Sequence, residues 1–192
     1  MTPRIPVVPT IIVTIAAAIM VILGIWQWGR AEEKAAQIAQ YKAALVAGDI
    51  RPFPADSGGA FSADDLFHPT AFICTTILGR EAIAGRNARG QSGYAQIARC
   101  QTGRGPADVK LGWSDRPDFP AWTGGPVEGL ITPGGADGAR AQMAQPVAGL
   151  EPLAQPDPAD LPNNHLAYAG QWFFFALTAL VIYGLALRRR RR

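Results

Sequence analysis

Two apolar runs stand apart from an otherwise mixed chain. From Ile5 to Gly29 there are 25 residues without a charge, and from Leu166 to Leu187 there are 22. At about 1.5 Å of rise per residue, either run can cross a hydrocarbon layer about 30 Å thick. A secretory signal competes for the first, but its apolar core would be about 7–15 residues long with a small-residue cleavage site behind it. Here the run closes on Trp26, Trp28 and Arg30, an aromatic and basic anchor suited to a membrane surface. The pattern predicts two retained transmembrane helices, at 5–29 and 165–187.

Past Arg30 the sequence AEEKAAQIAQYKAAL keeps a helical period, with Ala31, Ala35, Ile38, Tyr41 or Lys42, and Leu45 along one side. A helical extension over 30–47 follows, with Gly48 as its stop. Residues 49–70 are rich in Pro, Gly, Asp and Ser and read as an irregular connection. The period then shortens to that of strands. AFICTTIL (71–78) is apolar and β-branched, and Ile83 lies in a weaker strand ending at the turn-like GRNARGQSG (85–93). YAQIARC (94–100) and ADVKLGW (107–113) flank the loop QTGRGP, which suits a hairpin. VEGLIT (127–132) and ARAQMAQPVAGL (139–150) add two more strands across PGGADG, and EPLAQPDPADLP forms an extended approach to the second span. The expected fold is membrane α+β. Two transmembrane helices flank a small antiparallel β domain at 48–164, a sheet or partial barrel, with an Arg tail at 188–192.

Charge sharpens the placement. The net charge of +3 hides a segregation: residues 29–165 hold 12 basic and all 15 acidic residues, and the last five residues are all arginine. A nucleic-acid surface would need Lys and Arg clustered on the folded part, and the excess lies instead at the ends. The arginine tail fits the positive-inside rule. Both termini are therefore expected in the cytoplasm and the β domain outside, with lipids as the surrounding partner. The lack of an Arg- and Ser-rich leader before the first span favours a bacterial inner membrane, and hence a periplasmic domain, over a mitochondrial precursor.

Cys74 and Cys100 both fall in that outer segment, where disulfides persist. Their spacing excludes C-x-x-C and C-x-x-x-C motifs. A disulfide and two unpaired buried thiols stay equally open. No phosphate-binding glycine loop, nucleophile elbow or H-E-x-x-H motif occurs; GRGP and PGGADG are turns. Nothing marks an enzyme. Asp64 and Asp65 read as solvated or capping carboxylates, and His68, in the connection, as a surface histidine.

His165 differs. On a helix beginning near Asn164, it shares a face with Tyr168 or Ala169, Trp172 and Ala176. An imidazole with aromatic residues one and two turns deeper suits axial ligation of a flat apolar macrocycle. Equally, His, Tyr and Trp favour the membrane interface for their apolar bodies and polar tips. The outer end of the first span, LGIWQWGR, lies at the same depth. Gln27, Trp26 and Arg30 are therefore candidates to share a site with His165. Arg30 suits a carboxylate such as a haem propionate, or a lipid phosphate.

These two ends carry a resemblance. G-x-W-Q-x-x-R (Gly24, Trp26, Gln27, Arg30), followed by Lys34 and Ile38, together with N-N-H-L-x-Y-A-x-x-W-F (Asn163 to Phe173), resembles the Surfeit-one family of cytochrome c oxidase assembly factors. Gly93–Tyr94, Gly112–Trp113 and VEGLI (127–131) are weaker echoes. The resemblance implies two membrane helices joined by an outer domain, and a non-enzymatic role in building the haem-containing catalytic subunit of a haem–copper oxidase. Haem a is then the implied cofactor, and oxidase subunit I and haem a synthase the implied partners. His165 matches the family's candidate haem ligand, with Gln27, Trp26, Arg30, Tyr168 and Trp172 around it. The alternative is a resident accessory subunit that stabilises a respiratory oxidase without binding haem. The arginine that precedes Gly-Trp in the family is Leu111 here, and the outer domain is short.

Overall fold

The computed structural model describes residues 6–53, 62–135 and 137–190. The start of the first predicted span, part of the irregular connection, Ala136 of the PGGADG turn and the last two arginines of the tail lie outside the described residues. The chain divides into two units, Met1–Ile38 with Leu161–Arg192, and Ala39–Asp160.

The first unit is helical. Helix α1 runs Val7–Ala47, and its last nine residues belong to the second unit; helix α2 runs His165–Arg190. Both are long and apolar enough to cross a membrane. Within this unit, the sheltered positions of α1 include 10, 13, 17, 20, 24, 27, 31, 34 and 38, alternate steps of three and four, with 16, 23 and 37 beside them. On α2 the sheltered positions include 165, 169, 172, 176, 179 and 183. This heptad spacing is that of two helices packed along a seam. Small residues fill it: Ala17, Gly24 and Ala31 are buried on one helix and Ala169 and Ala176 on the other. In lipid, where apolar surface gains nothing by leaving the solvent, close backbone approach and hydrogen bonds hold helices together. A Cβ at Gly24 would lie 2.5 Å from the Phe173 ring, so any larger residue there must displace the ring. The Thr10 and Tyr183 hydroxyls meet at 2.6 Å. Outside the seam, large side chains such as Ile12, Ile22, Phe174 and Ile182 are exposed, as lipid-facing residues should be.

The second unit begins with the end of α1. Tyr41 is buried and its ring lies 5.0 Å from that of Phe67. The predicted stripe is turned slightly: Ala35 is exposed, whereas Tyr41 and Ala44 are buried. Gly48 ends the helix with φ 67°, its N–H donating to Ala44 O at 3.2 Å, the left-handed stop that glycine adopts without strain.

Six strands follow: β1 Pro69–Cys74, β2 Thr76–Arg86, β3 Ser92–Thr102, β4 Gly105–Ser114, β5 Gly125–Pro133 and β6 Ala139–Met143. They form one sheet in the order β1-β5-β6-β4-β3-β2. All ladders are antiparallel except β4 with β6, and the sheet is not closed. Two expectations need correction. AFICTTIL is not one strand. It breaks at Thr75, so that β1 pairs with β5 and β2 with β3, at opposite ends of the strand order. Thr75 fixes this corner by donating its N–H and its hydroxyl to Gln101 O, at 2.9 and 3.0 Å. The predicted last strand stops at Met143, because Pro146 and Gly149 turn the chain back over Leu111 and Trp113.

At that corner Cys74 and Cys100 form a disulfide with Cα atoms 5.3 Å apart, joining β1 and β3, strands that share no ladder. Around it the core is apolar and fully buried, with Ala98, Val109, Leu111, Val127, Ile131 and Ala141 all at 0% exposure. His68 is buried too, not at the surface. Its Nδ1 lies 3.2 Å from an Asp49 carboxylate oxygen. Asp64 and Asp65 sit in a single 3₁₀ turn capped by Ser62, and Asp64 accepts from Gln40 Nε2 at 3.1 Å.

Candidate functional site

The site is built where the two helices of the first unit meet, around Gln27 and Ala31 of α1 and the start of α2. Helix α2 starts at His165, and the Asn164 carbonyl accepts the Tyr168 N–H at 3.2 Å, as a residue at the N-cap position does. Asn163 does not cap its own helix. Its amide Nδ2 donates instead to the Ala31 carbonyl of α1 at 3.2 Å, while its Oδ1 is buried without a hydrogen-bond partner. One turn deeper, His165 Nδ1 lies 2.8 Å from Gln27 Oε1. These two contacts tie the first turn of α2 to α1 at neighbouring seam positions, 27 and 31. Both His165 and Gln27 are half-buried.

The six nominated residues divide by direction. Gln27, His165 and Trp172 lie on the sheltered side of their helices. Trp26 and Tyr168 are 57% and 51% exposed and point away from the seam. Arg30 is half-exposed and bonds Glu33 at 2.5 Å, one of several contacts along the helix with Trp28 Nε1 to Glu32 (2.8 Å) and Lys34 to Gln37 (2.8 Å). The sheltered sides of the two helices thus carry one imidazole, one amide and one indole, with the Arg30 guanidinium exposed beside them. Sequence reasoning missed Asn163 as a cross-helix tie. Its signal was the asparagine pair, of which only one can occupy the cap.

A neutral imidazole that donates from one nitrogen has the other available to a metal. Among the described residues no three His, Cys, Asp or Glu side chains gather as a site for a bare metal ion.

In the second unit a cleft of about 610 Å³ opens among Pro69, Leu130, Met143, Pro146 and Leu153. Its size is that of a small-ligand pocket, but no charged side chain lines it. Beside it in the sheet, on β4, stands Lys110, whose ladder partner Gln142 lines the cleft. Burial and the neighbouring Arg140 guanidinium pull the Lys110 amine down from 10.5 to about 8. Arg140 is itself held by Asp108 and Glu81, at 3.8 and 3.5 Å. Leu111, in place of the family's arginine, is wholly buried in the core.

The sequence model of the SURF1 family matches residues 14–177 of the chain, which takes in most of α1, the whole sheet and the first half of α2. No individual curated protein matches it.

Proposed function

From the premise that the chain belongs to the SURF1 family, a family associated with cytochrome oxidase assembly, we propose that it helps deliver haem a to the catalytic subunit of a haem–copper oxidase. Haem a is the cargo. Subunit I is its destination and haem a synthase its source. His165 is the residue that would hold the iron, Trp172 would flank the ring, and Arg30 would exchange Glu33 for a propionate at the water boundary. Trp26 and Tyr168 would contact the lipid or the oxidase around His165. When bound, the iron would supply an open coordination position that a single imidazole can take and later release. The observation that carries this reading is the His165–Gln27 contact between the two helices.

Topology follows from two features. The Arg tail favours a cytoplasmic C-terminus, Arg188–Arg190 forming the last turn of α2. The Cys74–Cys100 bond favours an oxidising compartment for the sheet. Together they support a bacterial inner-membrane protein with both termini inside and the β unit in the periplasm.

Deleting the gene should lower haem a in the purified oxidase while its polypeptides persist. Normal haem occupancy and activity in the deletion strain would remove the proposal. A resident accessory subunit would instead copurify at one copy per mature oxidase, whereas an assembly factor stays substoichiometric and enriched on immature forms.

A further inference from the structure

We infer that Gln27 is a positioning residue: it holds His165 as the Nδ1–H tautomer, so that Nε2 is the bare nitrogen presented to a metal. The inference rests on the haem-delivery reading for its purpose but not for its geometry.

Gln27 Oε1 and His165 Nδ1 are 2.8 Å apart, a full hydrogen bond. An amide oxygen has lone pairs and no proton, so it only accepts. The imidazole Nδ1 must then carry the hydrogen. A neutral ring has a single N–H, which leaves Nε2 unprotonated. Free imidazole divides between its two tautomers; the contact removes that choice and fixes the ring plane at the same time. Metal-ligating histidines are oriented in this way by an acceptor on the other nitrogen, usually a carboxylate or a carbonyl.

The location makes the pair specific. Positions 27 and 165 are both seam positions, and the seam positions that flank them are Gly24, Ala31 and Ala169, which offer no side-chain hydrogen bond. The Ala31 carbonyl is already taken by Asn163 Nδ2. With helix carbonyls satisfied within the backbone, Gln27 is the acceptor that the fold supplies for this nitrogen. An amide rather than a carboxylate there has a chemical consequence. It accepts the ring's hydrogen without competing for it as a base. An imidazole held in this way binds iron reversibly, which suits a carrier that must hand its cargo on.

The test uses the full chain in detergent or nanodiscs, with the ring nitrogens of histidine labelled with nitrogen-15. In the haem-free protein, NMR of His165 should show Nδ1 protonated and Nε2 bare, and Gln27→Leu should return the ring to a mixture of tautomers. Dominance of the Nε2–H form in the wild type, which would mean the reverse amide orientation, overturns the inference. So does a tautomer unchanged in Gln27→Leu. Haem a titration then reads the consequence. Gln27→Leu should weaken binding about 10–100-fold, the usual loss when a ligand's hydrogen-bond partner is removed. Gln27→Glu should restore affinity and lower the iron reduction potential, because a carboxylate gives the ring more imidazolate character. A purely structural role for Gln27 moves neither the tautomer nor the potential, and equal affinity in wild type and Gln27→Leu would defeat the positioning role. If the wild type takes up no haem at all, the delivery reading fails, while the tautomer measurement still decides the geometry.

Discussion

The two units solve opposite problems. In the sheet unit large apolar residues such as Val127, Ile131 and Leu111 are inside, and the strands turn Arg80, Glu81, Arg86 and Glu128 outward, together with the apolar Ile73 and Leu78. In the helical unit the large apolar residues are outside, and the interior is alanine and glycine with a few polar ties. Water drives the first arrangement, since each Å² of apolar area removed from it is worth about 25 cal/mol. Lipid removes that driving force and leaves packing and hydrogen bonds. The inversion teaches where strength resides: in one unit in buried volume and a covalent staple, in the other in a seam of small residues and two or three directed contacts.

The largest effect that would sharpen this contrast comes from the staple. The disulfide closes a loop of sequence separation 26 and fastens the corner where the sheet's two ends come together. Cys100→Ser should cost the sheet unit about 2–5 kcal/mol. Urea unfolding followed by Trp113 fluorescence would measure it, against an unchanged helical signal from the membrane unit. A loss below about 0.5 kcal/mol would mean that the corner is held by Thr75 and its hydrogen bonds alone.

Next comes a charge placed where the sheet unit should not want one. Lys110 is half-buried beside Arg140, and its amine is lowered to about 8. A lysine whose folded pKa lies below its unfolded value opposes folding while it is charged. Between about pH 8 and the unfolded value of 10.5 the unfolded chain binds more protons, so the stability of this unit should rise with pH there. Lys110→Met removes the penalty. At pH 7 it should stabilise the unit by roughly 1–3 kcal/mol, after discounting the shift for partial exposure, and the rise above pH 8 should flatten. Thermal melts at pH 7 and pH 10 check both. A destabilised variant at pH 7 would show that the ammonium is favourably engaged.

How much of this was legible beforehand follows the same divide. The spans were plain, because uncharged runs of 25 and 22 residues admit few alternatives. The strands were legible as elements, but not the break at Thr75. Period-two patterning records which face a residue occupies and says nothing about which partner strand it meets. His68 read as a surface residue because its partner, Asp49, lies 19 positions away across the connection. Within the candidate site, the sequence placed Gln27 and His165 at one depth, where they do meet, but not the directions of Trp26 and Tyr168. Trp26 and Gln27 are adjacent, and a helix turns each residue about 100° from the last, so they face different surroundings. Only the small residues Ala17, Gly24 and Ala31, seven apart, marked the inward side, and small residues give a weak hydropathy signal.

That spacing supplies the finest test of the inversion. If the helical unit depends on close approach, adding one methyl inside should cost more than deleting a large side chain outside. Gly24→Ala places a Cβ 2.5 Å from the Phe173 ring, too near for any real contact, so the ring or the helix must shift. Overpacking of this kind costs about 1–3 kcal/mol. The better helix propensity of alanine returns up to about 1 kcal/mol, which leaves a net loss on the order of 1 kcal/mol. Ile25→Ala is the matched control. Ile25 is 62% exposed on the side away from the seam, so in lipid its removal should change helix association by less than about 0.5 kcal/mol. Energy transfer between dyes placed on α1 and α2, in nanodiscs titrated with a denaturing detergent, gives both values. In water the ranking of two such substitutions would be the reverse, because the isoleucine would carry the buried area. Gly24→Ala coming out neutral while Ile25→Ala weakens association would break the comparison, and would place the contact surface of α1 on its isoleucine face.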